Sequence, residues 1–535
     1  MPKNGQKTII IDGRSLTIEQ IVEVARGING VYSKVHLNNS VRDNIVSSRK
    51  AIEEKIPFQI MYGINTGCGS NRDEIIPRED LLKYQVKYIL AHSCGTGRPL
   101  QKDIARAMIL LRANSFAVGN SGVTIELIEK LLWLLNEDII PVIPKHGSLG
   151  ASGDLIPLAH LGTVLIGTKN SEVYYKDKRI ASSQMYKLTN QDPIELQPKE
   201  AMALTNGSSL MLAYASLEIF DIEKLLKIAN LCCALNMEAI RAEVDALDAR
   251  LHKARNQKGQ NSCAAEIRRF LKNSKRVTKE AQEIQLPHDY DRKCDSPRVQ
   301  DAYSTRCAPQ AHGAVSDAIE YAKNAIIREL NAATDNPLIF KKQNGEFDVI
   351  SGGNFHGDPL AIPLETLGVA MAKLTSISQA RVFRLINNQY NFGLPQDLSG
   401  SKDASNSGMM IMHYSDASHV NRNQTLAAPA AVGNIPTANM QEDYVSMGAT
   451  SAWKLHKIIG NSQSVFAIEL LASCQAISLA ELNLGEYAQL GEYTQKVYSL
   501  IRKHIPPMID DRDMNCEIQL LRKLIKDGNI NHLLI

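Results

Sequence analysis

The sequence predicts a mainly α-helical fold, in which a bundle of long helices follows a mixed N-terminal lobe. At 535 residues the chain exceeds the roughly 250–300 residues that one hydrophobic core usually serves, so two or more packed lobes are expected. From about residue 199 onward, apolar residues recur at spacings of three and four, for example over 319–330 and 364–377. Such stripes bury one helix face against its neighbours, which is typical of a helical bundle.

The N-terminal lobe is predicted to mix short strands with helices. Residues 8–11 form an apolar strand, and a helix begins near Thr17. Helical patterns alternate with breaks between 78 and 140, and the Pro- and Gly-rich residues 141–154 cannot form regular helix. A strand-rich patch is expected at 172–181. We therefore assign residues 1–200 to the N-terminal lobe and 201–535 to the central and C-terminal helical bundle.

Composition and charge exclude several classes of protein. Hydrophobic residues make up 44% and charged residues 22%, as in ordinary globular proteins. Sixty basic residues against 57 acidic ones give a net charge of +3, too small over this length to predict binding of nucleic acid or of an anionic membrane. No apolar run reaches the ~18 residues of a membrane span, and no signal-peptide core follows the N-terminus.

The cysteines and the absent motifs indicate a cytoplasmic protein without metal or nucleotide. Nine cysteines are scattered without a Cys-x-x-Cys pair, which favours reduced thiols over a disulfide framework or a zinc site. The sequence contains no His-Glu-x-x-His motif, no Walker loop and no complete Gly-x-Gly-x-x-Gly. Four polar, irregular segments lie between the helices, and loops on a rigid scaffold often carry function: 286–312, 350–359, 394–408 and 431–449.

The most informative stretch is residues 147–161, Gly-Ser-Leu-Gly-Ala-Ser-Gly-Asp-Leu-Ile-Pro-Leu-Ala-His-Leu. A glycine amide is the least hindered backbone nucleophile, and glycine tolerates strained dihedrals. If the loop presses the nitrogen of Gly153 onto the carbonyl carbon of Ala151, a five-membered ring can close. Loss of that oxygen and of the Ser152 hydroxyl as two waters leaves a methylidene imidazolone, a strong electrophile. Ala-Ser-Gly alone would more simply be a turn capping a helix, and the longer run is what favours the ring.

Further motifs accompany this loop in a consistent order: Tyr-Gly-Ile-Asn-Thr-Gly at 62–67, Leu-Thr-Asn-Gly at 204–207, Val-Gln-Asp-Ala-Tyr-Ser-Thr-Arg-Cys at 299–307, Thr-Asp-Asn-Pro-Leu at 334–338, Ser-Gly-Gly-Asn-Phe-His-Gly at 351–357 and Gln-Glu-Asp-Tyr-Val-Ser-Met at 441–447. With them, residues 10–480 resemble the methylidene-imidazolone (MIO) family of aromatic amino acid ammonia-lyases and aminomutases, and most closely its histidine-specific members. The resemblance implies the long antiparallel helical bundle of the fumarase/aspartase-like superfamily. It also implies an MIO cofactor made from residues 151–153, and a homotetramer whose active sites each draw on three subunits.

The resemblance assigns roles that the chemistry makes reasonable. Tyr62 matches the family's proposed base, and because a tyrosine pKa is normally near 10, we expect the site to lower it through cations and helix N-termini. Arg306 matches the partner of the substrate carboxylate, since its planar fork accepts two oxygens. Asn206, Gln300 and Tyr303 match groups that hydrogen-bond substrate or cofactor, with Tyr303 counted among the catalytic residues. Each of these three would otherwise be a satisfied polar group tying loops together.

Three further positions bear on the substrate. Phe355 matches a residue that packs on the imidazolone ring, although simple core filling would also explain it. His92 occupies the family's selectivity position, where phenylalanine enzymes usually have an apolar residue. Glu442 stands where histidine enzymes carry a carboxylate able to meet an imidazole N–H and where the others usually have glutamine. The Ser-Gly-Gly at 351–353 also resembles the histidine enzymes.

Other residues weaken the assignment to histidine. Ser93 is closer to the tyrosine-specific pattern, Tyr444 replaces a histidine usual in histidine enzymes, and Cys68 replaces a usual aromatic residue. The segment at 410–416 departs from the family as well. The sequence thus favours elimination of ammonia from histidine to give urocanate, with a tyrosine ammonia-lyase or tyrosine 2,3-aminomutase as the first alternative.

A catalytically silent structural relative is the second alternative. It would require that the imidazolone does not form, and the intact residues Tyr62, Ser152 and Arg306 argue against it. A fumarase-type lyase could share the helical architecture, but its Gly-Ser-Ser-x-Met-Pro-x-Lys signature is absent. Fold alone would not decide between these activities.

Overall fold

The computed structural model of the chain describes residues 7–28, 30–288 and 299–535. Within them helix predominates, and the predicted mainly helical class is confirmed. The strands are short: β1 Thr8–Ile11, β2 Lys34–Leu37, β3 Thr96–Pro99, β4 Ile140–Pro141, β5 Pro144–His146, β6 Glu172–Tyr175, β7 Lys178–Ala181, β8 Leu338–Lys341 and β9 Phe347–Ile350. They form one parallel pair, β1–β2, and three antiparallel sheets, β3–β5, β4–β6–β7 and β8–β9.

The helices are α1 Ile18–Arg26, α2 Asn39–Lys55, α3 Leu81–His92, α4 Lys102–Ala117, α5 Ile125–Asn136, α6 Leu155–Leu165, α7 Ser182–Thr189, α8 Glu200–Thr205, α9 Ser209–Ile240, α10 Ala249–Arg255, α11 Lys258–Phe270, α12 Lys279–Glu283, α13 Tyr303–Arg306, α14 Ala308–Leu330, α15 Asp358–Ile386, α16 Met410–Leu426, α17 Gly448–Leu484, α18 Glu492–His504, α19 Asn515–Lys526 and α20 Asn529–His532. Four of them, α9, α14, α15 and α17, have 23 to 37 residues. The two apolar stripes predicted at 319–330 and 364–377 lie within α14 and α15, as expected. The irregular segment predicted at 286–312 is partly helix, and its residues 289–298 lie outside the described residues.

Two compact units can be distinguished by their internal contacts. Unit 1 comprises Met1–Phe220, Lys323–Glu365 and Pro429–Trp453, and unit 2 comprises Asp221–Ala322, Thr366–Ala428 and Lys454–Ile535. Both are discontinuous in sequence, because the chain leaves and re-enters each of them. The division into residues 1–200 and 201–535 was made from continuous segments, and it stays a prediction.

Unit 1 contains all nine strands and the predicted N-terminal elements. The side chain of Thr17 accepts from the amide of Gln20, whose own side chain accepts from the amide of Thr17, and this reciprocal cap fixes the start of α1 as predicted. The paired β6 and β7 confirm the strand-rich patch at 172–181. Helix α4, buried at every position from Ile104 to Ala117, forms the centre of the unit's core and contacts α1 and α5.

Unit 2 contains helices joined by irregular segments and no strand among its described residues. Its interior holds an ion pair between Arg381 and Glu469, two side chains with no exposed surface, and Ser378 donates a hydrogen bond to the same carboxylate. A buried charge pair of this kind is tolerated because each partner satisfies the other. The eight cysteines in the described part of the chain form no disulfide.

Two helices are apolar and long enough to cross a membrane by length and composition, Asp358–Ile386 and Gly448–Ala488. No such span was expected from the sequence. In the most apolar stretches of the two helices 67% and 78% of the residues are buried inside the protein, which is the environment of core helices.

Candidate functional site

A cavity of about 740 Å³ in unit 1 brings together six of the predicted site residues. They come from six separate stretches of unit 1 and line one space: Tyr62, His92, Ser152, Asn206, Phe355 and Glu442. The volume falls in the range of clefts that bind small molecules. Within the described ranges 7–28, 30–288 and 299–535, no group of three or more His, Cys, Asp or Glu side chains is placed to hold a metal ion.

The Ala-Ser-Gly loop is tied to the start of α9 by hydrogen bonds to Asp154. The Asp154 carboxylate accepts the amides of Leu210 and Met211 at 2.8 and 2.9 Å and the hydroxyl of Ser148 at 2.8 Å. Burial raises the pKa of Asp154 to about 6, while these hydrogen bonds and the positive charge of Arg112 oppose that rise. The loop is thus fixed by a buried carboxylate that bonds both its own segment and a helix N-terminus.

The backbone at Gly153 and Gly207 has no room for side chains. Gly153 has φ +76°, and a Cβ there would lie 2.4 Å from the backbone atoms of Gly207. Gly207 has φ +127°, and its Cβ would meet Arg112 at 2.4 Å. The two glycines are joined by hydrogen bonds from the Gly207 amide to the Ser152 carbonyl and from the Asp154 amide to the Gly207 carbonyl. Such close approach presses the tripeptide into a tight bend.

The two groups that ring closure would join are free of competing bonds. Among the described residues, neither the carbonyl oxygen of Ala151 nor the amide of Gly153 takes part in a hydrogen bond, whereas the carbonyl of Ser152 and the amide of Asp154 on either side of the bend are both held. Ala151 itself is nearly buried, against Val445 and Met447. The residues therefore fit an imidazolone formed from 151–153, with Gly153 as its nitrogen donor.

Gly153→Ala is expected to prevent this bend and to destabilise the chain by at least about 1–2 kcal/mol, the usual cost of a left-handed backbone for a residue with a side chain. The clash with Gly207 adds to that cost. Thermal unfolding and intact mass would measure the effect. Gly345→Ala is the matched control, because Gly345 has φ +88° but no heavy atom of the described residues lies within 4 Å of its Cβ position. Equal effects of the two changes would contradict a special role for the Gly153–Gly207 contact.

Ser152 and Glu442 are in direct contact although 290 residues separate them. The Ser152 hydroxyl donates to Oε1 of Glu442 at 2.7 Å, and the Thr437 hydroxyl donates to Oε2 at 2.9 Å. An isolated antiparallel β-bridge pairs Thr437 with Glu442 and closes the loop between them. A carboxylate is therefore held beside the side-chain carbon of Ser152 by two hydroxyl donors.

The environment of Tyr62 differs from what the sequence led us to expect. Its phenol accepts the amide of Gly69 at 3.2 Å, and that bond and the charge of Arg72 favour the ionised form. Burial has the largest influence and raises the pKa of Tyr62, with Cys68 and Glu442 adding to the rise. The expected lowering of the pKa was wrong for unit 1 by itself, because desolvation and like charges outweigh the single cation.

His92 is held as a neutral ring with a defined proton. Its Nδ1 lies 2.8 Å from the carbonyl of Tyr88, and a carbonyl can only accept, so Nδ1 carries the hydrogen and Nε2 the lone pair. Burial lowers the pKa of His92, which keeps the ring neutral. The ring also stacks on Tyr88 with centroids 4.0 Å apart. His92 can therefore offer an acceptor to a substrate.

Asn206 and Phe355 lie on loops that other parts of unit 1 fix. The Asn206 carbonyl accepts from the buried guanidinium of Arg112, which also donates to Thr334 and so links the Asn206 segment to residues 334–338. Phe355 is half-buried in the loop before α15, where the amide of Gly357 donates to the carbonyl of Gly150 at 3.2 Å. The side chains of both residues border the cavity.

The other three predicted residues belong to unit 2 and are not among those that line the unit 1 cavity. Gln300 is exposed, and Tyr303 is 71% exposed. The guanidinium of Arg306 lies over the Tyr303 ring at 4.5 Å, and its buried Nε has no hydrogen-bond partner among the described residues. Arg306 thus has one buried donor that no described residue accepts from.

Several cavity residues escaped the sequence analysis. Tyr84, Lys87 and Tyr88 line the cavity beside His92. The spacing of residues 84, 88 and 92 places them on one helix face and could have indicated this. Cys68, noted in the sequence only as a departure from the family, also lines the cavity.

Comparisons with known proteins bear on what this site does. The family model of aromatic amino acid lyases matches residues 16–503. A histidine ammonia-lyase from Caldanaerobacter subterraneus subsp. tengcongensis is 40% identical over 529 residues, which cover 99% of this chain and 98% of the relative. The chain belongs to the aromatic amino acid lyase family. As in that family, it is a carbon–nitrogen lyase.

Solved structures agree with this assignment. The histidine ammonia-lyase from Trypanosoma cruzi has a TM-score of 0.85 at 33% identity and covers 98% of this chain and 95% of its own. A tyrosine aminomutase from Streptomyces globisporus has a TM-score of 0.89 at 30% identity, with 98% of both chains covered. Both members of this family, the histidine-specific lyase and the tyrosine-specific aminomutase, are therefore similar in fold to this chain.

Proposed function

We propose that this aromatic amino acid lyase eliminates ammonia from L-histidine to give urocanate, using an MIO group formed from Ala151, Ser152 and Gly153. The observation that carries the proposal is the contact of Ser152 with Glu442 at the edge of the cavity. When present, the imidazolone supplies an electrophile that makes the substrate amine a better leaving group. Loss of the Ser152 hydroxyl in its formation leaves Oε1 of Glu442 without that donor and ready to accept another.

The chain's own residues bind and orient the amino acid. Tyr62 removes the β-hydrogen as a base, and the Gly69 amide and the charge of Arg72 favour its ionised form. Phe355 would hold the imidazolone by packing against its ring, and Asn206 would hydrogen-bond the substrate. Arg306 pairs with the substrate carboxylate. Gln300 and Tyr303 hydrogen-bond the substrate or the cofactor.

Histidine is favoured because two polar groups of the cavity wall, His92 and Glu442, both offer hydrogen-bond acceptors. His92 offers the lone pair of Nε2, and Glu442 offers a carboxylate oxygen. An imidazole ring that the carboxylate keeps charged provides two N–H donors for these acceptors, a phenol provides one O–H, and a phenyl ring provides none. The similarity to histidine ammonia-lyases at about 40% identity supports the same substrate.

A tyrosine-specific activity is the second candidate. The similarity to a tyrosine aminomutase supports it, as does the polar cavity wall that contains Tyr84 and Tyr88. In that case the hydroxyl of the substrate would donate to His92. Release of coumarate or re-addition of ammonia to the β-carbon would then distinguish a lyase from an aminomutase.

We further propose a cytoplasmic homotetramer with shared active sites. Arg306, with its unpartnered Nε, and the exposed Tyr303 support a role for this segment at a site completed by another subunit. The proposed partners are amino acids alone, without nucleic acid, membrane, metal or nucleotide. Sedimentation or light scattering of the purified chain would test the tetramer.

The experiment that tests the proposed function uses purified protein with L-histidine, L-tyrosine and L-phenylalanine in separate reactions. The conjugated acid product is followed by ultraviolet absorbance, and each mixture is checked for β-amino acid. Urocanate from histidine is the expected result. Coumarate or β-tyrosine as the main product would show that tyrosine, not histidine, is the substrate. No product from any of the three amino acids would contradict the proposal.

A further inference from the structure

Helix α3 presents an aromatic wall to the cavity. Tyr84, Tyr88 and His92 are four residues apart and therefore share one helix face. The rings of Tyr84 and Tyr88 meet edge to face with centroids 5.9 Å apart, and His92 stacks on Tyr88. The Tyr88 hydroxyl is in turn bonded by Thr205 at 3.4 Å. The wall is thus a continuous stack that is anchored at its buried end.

Cys68 links this aromatic wall to the loop that carries Tyr62. The Tyr84 hydroxyl donates to Sγ of Cys68 at 3.4 Å. The next residue, Gly69, donates its amide to the phenol of Tyr62. A short chain of contacts therefore runs from α3 through Cys68 and Gly69 to the proposed base.

The loop around Cys68 is otherwise closed on itself. The Gly67 amide donates to the Glu74 carbonyl at 2.9 Å, and the Ile76 amide donates to the Asn65 carbonyl at 2.9 Å. These bonds fix the shape of the loop but do not connect it to α3. Among the described residues, Sγ of Cys68 accepts the side-chain hydrogen bond that joins this loop to Tyr84 of the wall.

Cys68 also belongs to the set of charges that face Tyr62. Glu442 and an ionised Cys68 oppose the phenolate, while Arg72 and the Gly69 amide favour it. Burial raises the pKa of the Cys68 thiol, although the hydroxyls of Tyr84 and Tyr88 act against the rise. Tyr84 and Tyr88 themselves have raised pKa values through burial, so they stay neutral donors.

We propose that Cys68 is a positioning residue for Tyr62, one that fastens the Tyr62 loop to the aromatic wall and, where its thiol ionises at high pH, opposes ionisation of the phenol. The inference rests on the proposed function in one respect, the role of Tyr62 as base. If so, the sulfur acts through Tyr62 rather than on the substrate. A residue that only filled the cavity would neither hold the Tyr62 loop to α3 nor change the ionisation of Tyr62.

The test compares Cys68→Ala, Cys68→Ser and Tyr84→Phe in the full-length protein. Loss of the thiol–phenol bond in Cys68→Ala or Tyr84→Phe is expected to lower kcat/KM about 2- to 10-fold, the usual effect of one hydrogen bond. The loss should fall on kcat, because the position of a base affects the chemical step. Serine retains an acceptor for the Tyr84 hydroxyl, so Cys68→Ser should recover most of the activity. The double variant that combines Cys68→Ala with Tyr84→Phe should lose little more activity than either single variant, because both changes remove the same hydrogen bond.

A titration of the Tyr62 phenol distinguishes a Cys68 that positions Tyr62 from one that only fills space in the cavity. It does not depend on turnover. The phenol of Tyr62 is followed by ultraviolet absorbance as the difference between each protein and the same protein carrying Tyr62→Phe. Cys68→Ala and Cys68→Ser both remove an ionisable group, so in both Tyr62 should titrate at lower pH than in the wild type. Cys516→Ala, which removes an exposed thiol from unit 2, is the matched control and should leave this titration unchanged.

The outcomes are distinguishable from those of the proposed function. An unchanged Tyr62 titration in both Cys68 variants, or additive losses in the double variant, would overturn the role of Cys68. A wild type that acts on none of the three amino acids would overturn the proposed function, and the titration would still test Cys68. If Cys68→Ala unfolds, Cys68→Ser and Tyr84→Phe carry the comparison.

Discussion

Replacing Ser152 by alanine is expected to lower turnover by about 10³-fold or more, the scale seen when a reacting nucleophile or electrophile is removed from an enzyme. The serine hydroxyl is one of the two oxygens that leave as water during ring closure. An alanine side chain has no such leaving group, so the electrophile cannot form. Turnover of L-histidine measures the loss of activity, and the intact mass measures the chemistry directly. The wild type should be lighter than its sequence by two waters, and the variant should not.

The same variant should remain folded. Ring formation in the wild type already removes the Ser152 hydroxyl from Glu442, which keeps its bond from Thr437, so this contact should not make the variant less stable than the wild type. Ser47→Ala is a matched control, since the Ser47 hydroxyl donates to the Asp43 carbonyl within α2 and lies apart from the cavity-lining residues. Full activity in Ser152→Ala, or a wild-type mass equal to that of the unmodified sequence, would refute the cofactor proposal.

The fold was predictable where local patterns determine it. The stripes of α14 and α15 follow from spacings of three and four, and the start of α1 follows from the capping chemistry of Thr17 and Gln20. Pairings that depend on distant residues were not predictable. The two-residue strand β4 exists only because Val173 and Tyr174 of β6 pair with it. The apolar stretches of α15 and α17 likewise owe their character to burial.

The candidate site was predictable in its chemical groups but not in its electrostatics. Motifs identified the loop at 151–153 and the residues around it, yet no motif could show that Ser152 meets Glu442 across 290 residues. The pKa of Tyr62 depends on how much water and how many charges surround the phenol, which only the packed structure determines. The contact of Cys68 with Tyr84 arises in the same way, from the approach of a loop to a helix face.

Glu442→Gln is expected to reduce histidine turnover about 10- to 100-fold more than tyrosine turnover, because a carboxylate that accepts an imidazole N–H is worth more than a neutral amide. Glutamine has the same shape and keeps one acceptor oxygen. The change therefore removes the charge and leaves the cavity intact. The measurement is kcat/KM for both amino acids, together with inhibition by urocanate and by coumarate, which differ in the ring alone.

The position of Glu442 makes this comparison decisive. Its Oε1 lies 2.7 Å from the hydroxyl of Ser152, so the carboxylate stands beside the carbon at which a substrate amine would react. An amine is common to both amino acids, whereas an imidazole belongs to histidine alone. Equal losses for the two substrates, with equal changes in inhibition by the two acids, would assign Glu442 to the amine and remove its support for histidine. Asp443→Asn, which removes a neighbouring exposed charge, is the control for the general effect of charge on the cavity.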